Sequence, residues 1–221
     1  MTFGKKLQEI WKGKDIYRIL MNEECENILL EGKVVDVGSG KQLASYHRFL
    51  RKGNNVVLEC LDLGFDGNSS NGGKQIDLEK DMLPYADNSV DTVLLFNVLE
   101  HIYNYEHLLR EIKRILKPRG KLIGAVPFLV SYHPDPHDYW RYTGETLSRI
   151  FSTIGFSTHT ISPFGHGPFT AGFSQTEGVI PRILKCIFLP CAFLCDRIVA
   201  HLKPKLTKQK FHLGLFFIGT K

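Results

Sequence analysis

Two rhythms of apolar residues alternate along the chain. Short apolar runs bounded by Gly, Pro, Asn or Asp predict strands at 33–37, 56–61, 74–76, 92–96, 121–126, 155–162 and 211–220. Between them, apolar residues fall three or four positions apart. That spacing predicts helix over 5–31 (Leu7, Ile10, Ile16, Ile19, Leu20, Ile28, Leu29) and over 42–51 (Leu43, His47, Leu50). It predicts helix again over 104–116, with Leu108, Leu109, Ile112, Ile115 and Leu116 inward. Thr143 reads as an N-cap, with Glu145 in the first turn of a further helix ending near Gly155. The N-terminal segment is expected to cover one edge of the domain. Strand and helix in alternation predict an α/β fold, with a mostly parallel sheet and helices on both faces.

The pattern changes after 162. Residues 163–178 are rich in Gly, Pro, Phe and Thr and read as a lid or insertion. Residues 179–202 read as an apolar helical pair, or as one helix broken at Pro190. Ile180, Ile183, Leu184, Ile187 and Phe188 form a stripe that Phe193, Leu194 and Ile198 continue, punctuated by Arg182, Lys185 and Arg197. Lys203, Lys205, Lys208 and Lys210 follow. Such a stripe is ordinary core, or it docks through 179–210 on an anionic membrane surface or an apolar acceptor.

Composition narrows the class. The chain has 221 residues, 43% hydrophobic and 23% charged, with a net charge of +5. That size suits one domain, 1–221, and that charge does not call for nucleic acid. Five cysteines, an odd number without a CxxC pair, point to a reducing, cytoplasmic setting. No apolar run is long enough to predict a membrane-spanning helix.

Candidate chemistry begins at Val34-Val35-Asp36-Val37-Gly38-Ser39-Gly40, a strand running into a Gly-x-Gly turn. Gly38 and Gly40 let the backbone turn sharply and approach a ligand, and Asp36 lies beside that turn. Asp62, about twenty residues beyond the turn, stands at the next strand's end, where its two oxygens suit a ribose hydroxyl pair. Gly64 to Gly73 reads as a loop. Asp77 ends the third strand, as a loop acid or as a partner for an exocyclic adenine amine.

Four motifs then occur in order: the strand and glycine turn at 34–40, Leu83-Pro84-Tyr85-Ala86-Asp87-Asn88-Ser89-Val90-Asp91, Val98-Leu99-Glu100-His101, and Ile115-Leu116-Lys117-Pro118-Arg119-Gly120. This series resembles the class I S-adenosylmethionine-dependent methyltransferases, in the subset with LPF-x-D and LEH motifs. The resemblance covers about 32–162. It implies a Rossmann-like seven-stranded sheet with the last strand antiparallel, and S-adenosyl-L-methionine as cofactor. It implies that Asp36, Gly38 and Gly40 surround the methionine part, Asp62 holds the ribose, and Asp77 and Leu78 meet the adenine. Phe96 and Asn97 would lie near the reacting methyl. The chain departs from the pattern in Lys41-Gln42, where a third glycine is usual, and in Arg119, where a second glycine is common.

Residues 127–142 follow the fifth strand and so lie on the ligand side of the sheet. His133, His137 and Asp138 are candidate bases, Arg141 a candidate clamp for a carboxylate or phosphate, and Tyr139, Trp140 and Tyr142 candidate walls. The bland reading is that His137, Asp138 and Arg141 only hold the loop in shape. Metal binding by His133, Asp135, His137 and Asp138 is set aside, since two prolines stiffen the loop and no cysteine is near. The phrase His-Pro-x-Pro-His-Asp-Tyr-x-Arg-Tyr-Thr also resembles bacterial methyltransferases found among polysaccharide-assembly enzymes. The expected partner is therefore a small-molecule or saccharide acceptor. A nicotinamide-dependent oxidoreductase is the less favoured enzyme, because the third glycine and a Tyr-x-x-x-Lys pair are missing. A catalytically degenerate scaffold docking on a membrane or protein is the remaining alternative.

Overall fold

The computed structural model describes residues 1–39, 44–62, 74–204 and 209–221, without the side chains of Asp62, Lys74 and Gln75. Two helices open the chain, α1 (Phe3–Trp11) and α2 (Ile16–Cys25). The continuous helix expected over 5–31 is thus divided. Gly13 breaks it with φ +86°, a conformation that L side chains rarely adopt, and Asp15 restarts it by accepting the Arg18 N–H at 2.6 Å. The end of that stretch is strand, not helix: β1 (Leu29–Leu30) pairs in parallel with β3 (Arg51–Lys52). The expected helix over 42–51 is, in its described part, one 3-10 turn at Ser45–Arg48. The Gly64–Gly73 loop lies outside the described residues.

Among the described residues, the main sheet has seven strands. They are β2 (Lys33–Val37), β4 (Val57–Asp62), β5 (Lys74–Gln75), β6 (Val90–Phe96), β7 (Leu116–Pro127), β8 (Thr158–Phe164) and β9 (Gly214–Thr220). Their order is β5-β4-β2-β6-β7-β9-β8. The pairs from β5 to β7 are parallel, and β9 runs antiparallel to both β7 and β8. The α/β class and the antiparallel last strand are as expected.

Each strand divides its side chains between two cores, because successive residues face opposite sides of a sheet. Val35, Val37, Val93, Leu95, Leu122, Val126 and Phe217 join one cluster. Leu108, Leu109, Ile112 and Ile115 of α3 (Tyr105–Ile115) and Leu147 and Phe151 of α4 (Gly144–Ile154) complete it. Val34, Leu94, Phe96, Ile123, Ala125 and Phe216 join the other. There they meet Ile16, Ile19 and Leu20 of α2, with Phe173 of α5 (Pro168–Thr176) and Leu189 of α6 (Arg182–Leu202). The N-terminal helices therefore cover a face of the sheet, not an edge. The apolar strand sequences reflect this burial on both faces.

The α4 boundaries follow the expected caps. Thr143 Oγ1 accepts the Thr146 N–H at 3.2 Å, and Gly155 ends the helix at φ +88°. α6 runs unbroken through Pro190, which has no N–H for the carbonyl four residues back. Asp196 ties it to α5, accepting the N–H groups of Phe169 and Thr170 at 2.8 and 2.9 Å. Among the described residues, no helix is long and apolar enough to cross a membrane.

Candidate functional site

The parallel strands end side by side. Gly38 follows β2 with φ +76°, and a Cβ there would lie 2.4 Å from a Val98 methyl. Both facts demand glycine. The Gly38 N–H donates to the Leu61 carbonyl at 2.7 Å, joining this turn to the end of β4. Asp62 is the last residue of β4, and its side chain is not described. Gly40 lies outside the described residues.

Asp36 is fully buried and already engaged. Its oxygens accept the Tyr46 hydroxyl at 2.8 and 2.7 Å, and Oδ2 lies 2.5 Å from His47 Nε2. Burial, and then the Asp36 charge, push the Tyr46 phenol well above its ordinary pKa, so it stays a donor. Tyr46 also packs on Phe96, with ring centroids 4.4 Å apart. The motif acid thus braces the turn, through partners that a helical reading of 42–51 did not bring forward.

Asn97, just beyond β6, takes a left-handed φ of +56°, which asparagine tolerates better than most residues. Its N–H donates to Ala125, and its side chain meets Tyr17 and Met21 of α2. The Phe96 side chain is buried. On the far side, Asp77 accepts the Glu79 N–H at 3.0 Å and pairs with Lys80 at 2.9 Å. The Lys80 bond holds the Asp77 carboxyl below its usual pKa. Leu78 beside it is buried.

The loop after β7 is anchored, not free. Tyr139 and Trp140 donate their N–H groups to the Glu100 carbonyl at 2.7 and 3.2 Å. Trp140 Nε1 reaches the Ile102 carbonyl at 3.0 Å, and the Tyr142 hydroxyl reaches that of Leu99 at 3.2 Å. The aromatic residues expected as walls are therefore mainly anchors. Asp138 and Arg141 form a two-pronged pair at 2.5 and 2.7 Å, and Asp138 also accepts the His133 N–H at 3.0 Å. The Arg141 bond holds the Asp138 carboxyl down to about 2, which suits an ion-pair partner and not a base. The His137 ring is exposed and packs on Tyr139, while its carbonyl meets His101 Nδ1.

His133 is brought elsewhere. Its Nε2 lies 3.9 Å from Oε1 of Glu100, and His101 Nε2 lies 3.7 Å from the same oxygen. Glu100 is fully buried, and the nearby carboxylate raises the His133 pKa. Burial first, and Glu100 next, raise that of Tyr17, which links this cluster to the β6 tip. Glu100 and His101 were visible only as part of a motif, and the helical spacing over 5–31 did not single out Tyr17. A cavity of about 930 Å³ lies between α4 and β8, and none of the strand-tip residues line it.

Strand order, the reversed last strand and the glycine turn together define the fold of S-adenosylmethionine-dependent methyltransferases. A protein of that description from Archaeoglobus fulgidus matches this structure with a TM-score of 0.57, over 100% of each chain at 14% identity. Residues 35–124 match the family described as a methyltransferase domain. The ubiquinone/menaquinone biosynthesis C-methyltransferase UbiE of Rickettsia akari is 30% identical over 173 residues, 70% of this chain and 62% of that protein. An uncharacterised protein of Methanocaldococcus jannaschii is 59% identical over 44 residues, 20% of this chain and 19% of that protein. The matched stretches span less than two thirds of these relatives' lengths. Residues 35–124 are thus similar to a methyltransferase domain, on a fold shared with S-adenosylmethionine-dependent methyltransferases.

Proposed function

We propose that the protein transfers a methyl group from S-adenosylmethionine to a small-molecule or saccharide acceptor. The observation that carries this reading is the left-handed Gly38 turn at the tip of β2, inside the matched methyltransferase segment. A side chain there would collide with Val98 and open the tight turn, and the ends of β4 and β6 flank it. Gly38 and Gly40 would admit the methionine part, with Asp36 bracing their turn. Asp62 would hold the ribose, Asp77 and Leu78 would border the adenine, and Phe96 and Asn97 the methyl. The cofactor supplies a sulfonium whose methyl is already activated, so the protein's task is alignment and exclusion of water.

The acceptor side falls to the 127–142 loop. Arg141 and Asp138 hold its shape, and His133 faces the buried Glu100. The acceptor would lie against the Glu100–His101–His133 cluster, while the exposed His137 would meet it from outside. Residues 1–221 would form one domain, with a core at 32–162 and a helical closure at 163–210. Two contacts support that closure: Gln175 Nε2 donates to the Leu129 carbonyl at 2.8 Å, and Glu177 accepts the Ile16 N–H.

A membrane contact is the second part of this reading. Ile183, Ile187, Leu194 and Ile198 share one face of α6 and are exposed, as are Arg182, Arg197 and Lys203. Such a face suits the anionic inner surface of a membrane. The test of activity is turnover. The full chain, given S-adenosylmethionine and a panel of hydroxylated small molecules and saccharides, should release S-adenosylhomocysteine with at least one acceptor. Cofactor binding without turnover on any of them would favour the degenerate scaffold.

A further inference from the structure

Three electron-pair donors converge beneath the acceptor loop. Neither oxygen of the buried Glu100 carboxylate has a hydrogen-bond partner among the described residues. His101 Nε2 and His133 Nε2 approach Oε1 at 3.7 and 3.9 Å, and the three atoms lie within 4.8 Å of one another.

The opposite ring nitrogens decide what these histidines present. His101 Nδ1 meets the His137 carbonyl at 2.5 Å, and His133 Nδ1 meets the Ser131 carbonyl at 2.9 Å. A carbonyl only accepts, so both Nδ1 atoms carry the hydrogen. In the neutral rings each Nε2 then offers a bare lone pair toward an anion. Arg141 Nη2, at 3.5 Å from His133 Nδ1, is too distant to reverse that assignment. Two lone pairs and a buried carboxylate facing one another are unfavourable without a cation between them. A single proton serves one imidazole and leaves the other bare, whereas a divalent ion serves all three.

The geometry points to a divalent transition-metal site formed by Glu100 Oε1, His101 Nε2 and His133 Nε2. Two imidazoles and one carboxylate suit Zn²⁺ or a neighbouring first-row ion, not Mg²⁺ or Ca²⁺, which prefer oxygen. Backbone carbonyls on both Nδ1–H groups are the outer bonds that orient metal-bound imidazoles. Tetrahedral ligands at about 2.1 Å from the ion stand about 3.4 Å apart, so the three donors need only a small closure. His133 can make it, since its side chain is 40% exposed on the loop. Three protein ligands leave a position open. If the methyl-transfer reading holds, an acceptor hydroxyl would fill it, and its proton, made more acidic by the ion, would pass to solvent water. The ion's binding does not depend on that reading.

The test therefore uses the full chain without S-adenosylmethionine. Chelator-treated protein is titrated with Zn²⁺ against a chromophoric competitor. We expect one ion per chain with sub-micromolar affinity, and for Co²⁺ a visible absorption band typical of low coordination. Glu100→Gln and His133→Ala should each weaken Zn²⁺ by about tenfold or more, and His201→Ala on exposed α6 should change nothing. Should the variant at buried Glu100 fail to fold, His133→Ala, checked by circular dichroism, decides. No Zn²⁺ binding at micromolar concentration, or His133→Ala binding as wild type does, overturns the site.

Discussion

Tyr17 donates its hydroxyl to Asn97 Oδ1 at 2.5 Å, across 80 positions of sequence. This bond fastens α2 to the residue just beyond β6, where the reacting methyl is proposed to lie. Tyr17 also packs on Phe164 of β8, with ring centroids 5.3 Å apart. The N-terminal helices would thereby form part of the proposed site's wall. Tyr17→Phe keeps the ring and leaves the Asn97 oxygen without its donor. We expect a loss of about 0.5–1.5 kcal/mol in urea unfolding, the scale for one hydrogen bond lost at a half-buried acceptor. Unchanged stability would mean that this bond contributes nothing in solution.

Glu177 sets a pH dependence. It is buried, and burial pushes its pKa from 4.5 up to about 7 despite the Ile16 N–H. A carboxyl whose folded pKa is raised contributes its stability below the unfolded value of 4.5. That contribution falls away as pH rises toward 7 and is absent above it. Glu177→Gln cannot ionise. Its stability relative to wild type should therefore improve between pH 5 and 8, by on the order of 2 kcal/mol. A difference that stays flat across that range would show that Glu177 titrates normally.

The exposed face of α6 makes a separate prediction. Ile187 is 56% exposed, Leu194 60% and Ile198 50%, so the stripe is not the ordinary core that its spacing also allowed. Protein should sediment with vesicles containing phosphatidylglycerol and release as salt rises, because surface charge attraction is screened. Ile187→Asp with Leu194→Asp should abolish sedimentation without loss of fold. Failure of the wild type to bind at low salt would remove the membrane contact.

The strands were legible because burial on both faces writes apolar runs between turn residues, and Val34–Val37, Thr92–Phe96 and Leu122–Val126 are such runs. The caps of α4 were legible because Thr143 and Gly155 act locally. What escaped was set by contacts distant in sequence. Leu43, His47 and Leu50 have helical spacing, yet Tyr46 and His47 turn inward to Asp36, which holds a 3-10 turn there. Leu29 and Leu30 continue a helical rhythm but pair with Arg51 and Lys52. At the acceptor side the loop composition was informative, but the division of labour was not. Asp138 and Arg141 pair with each other, whereas His133 crosses to Glu100, a residue 33 positions earlier whose burial no local pattern displays.

Calorimetric titration of the full chain, first with S-adenosylmethionine and then with NAD, tests the central claim most directly. We predict one site for S-adenosylmethionine, no heat with NAD, and an Asp62→Ala variant weakened by about 1–3 kcal/mol, the scale for hydrogen bonds to a charged group. Binding of NAD without binding of S-adenosylmethionine would contradict the account.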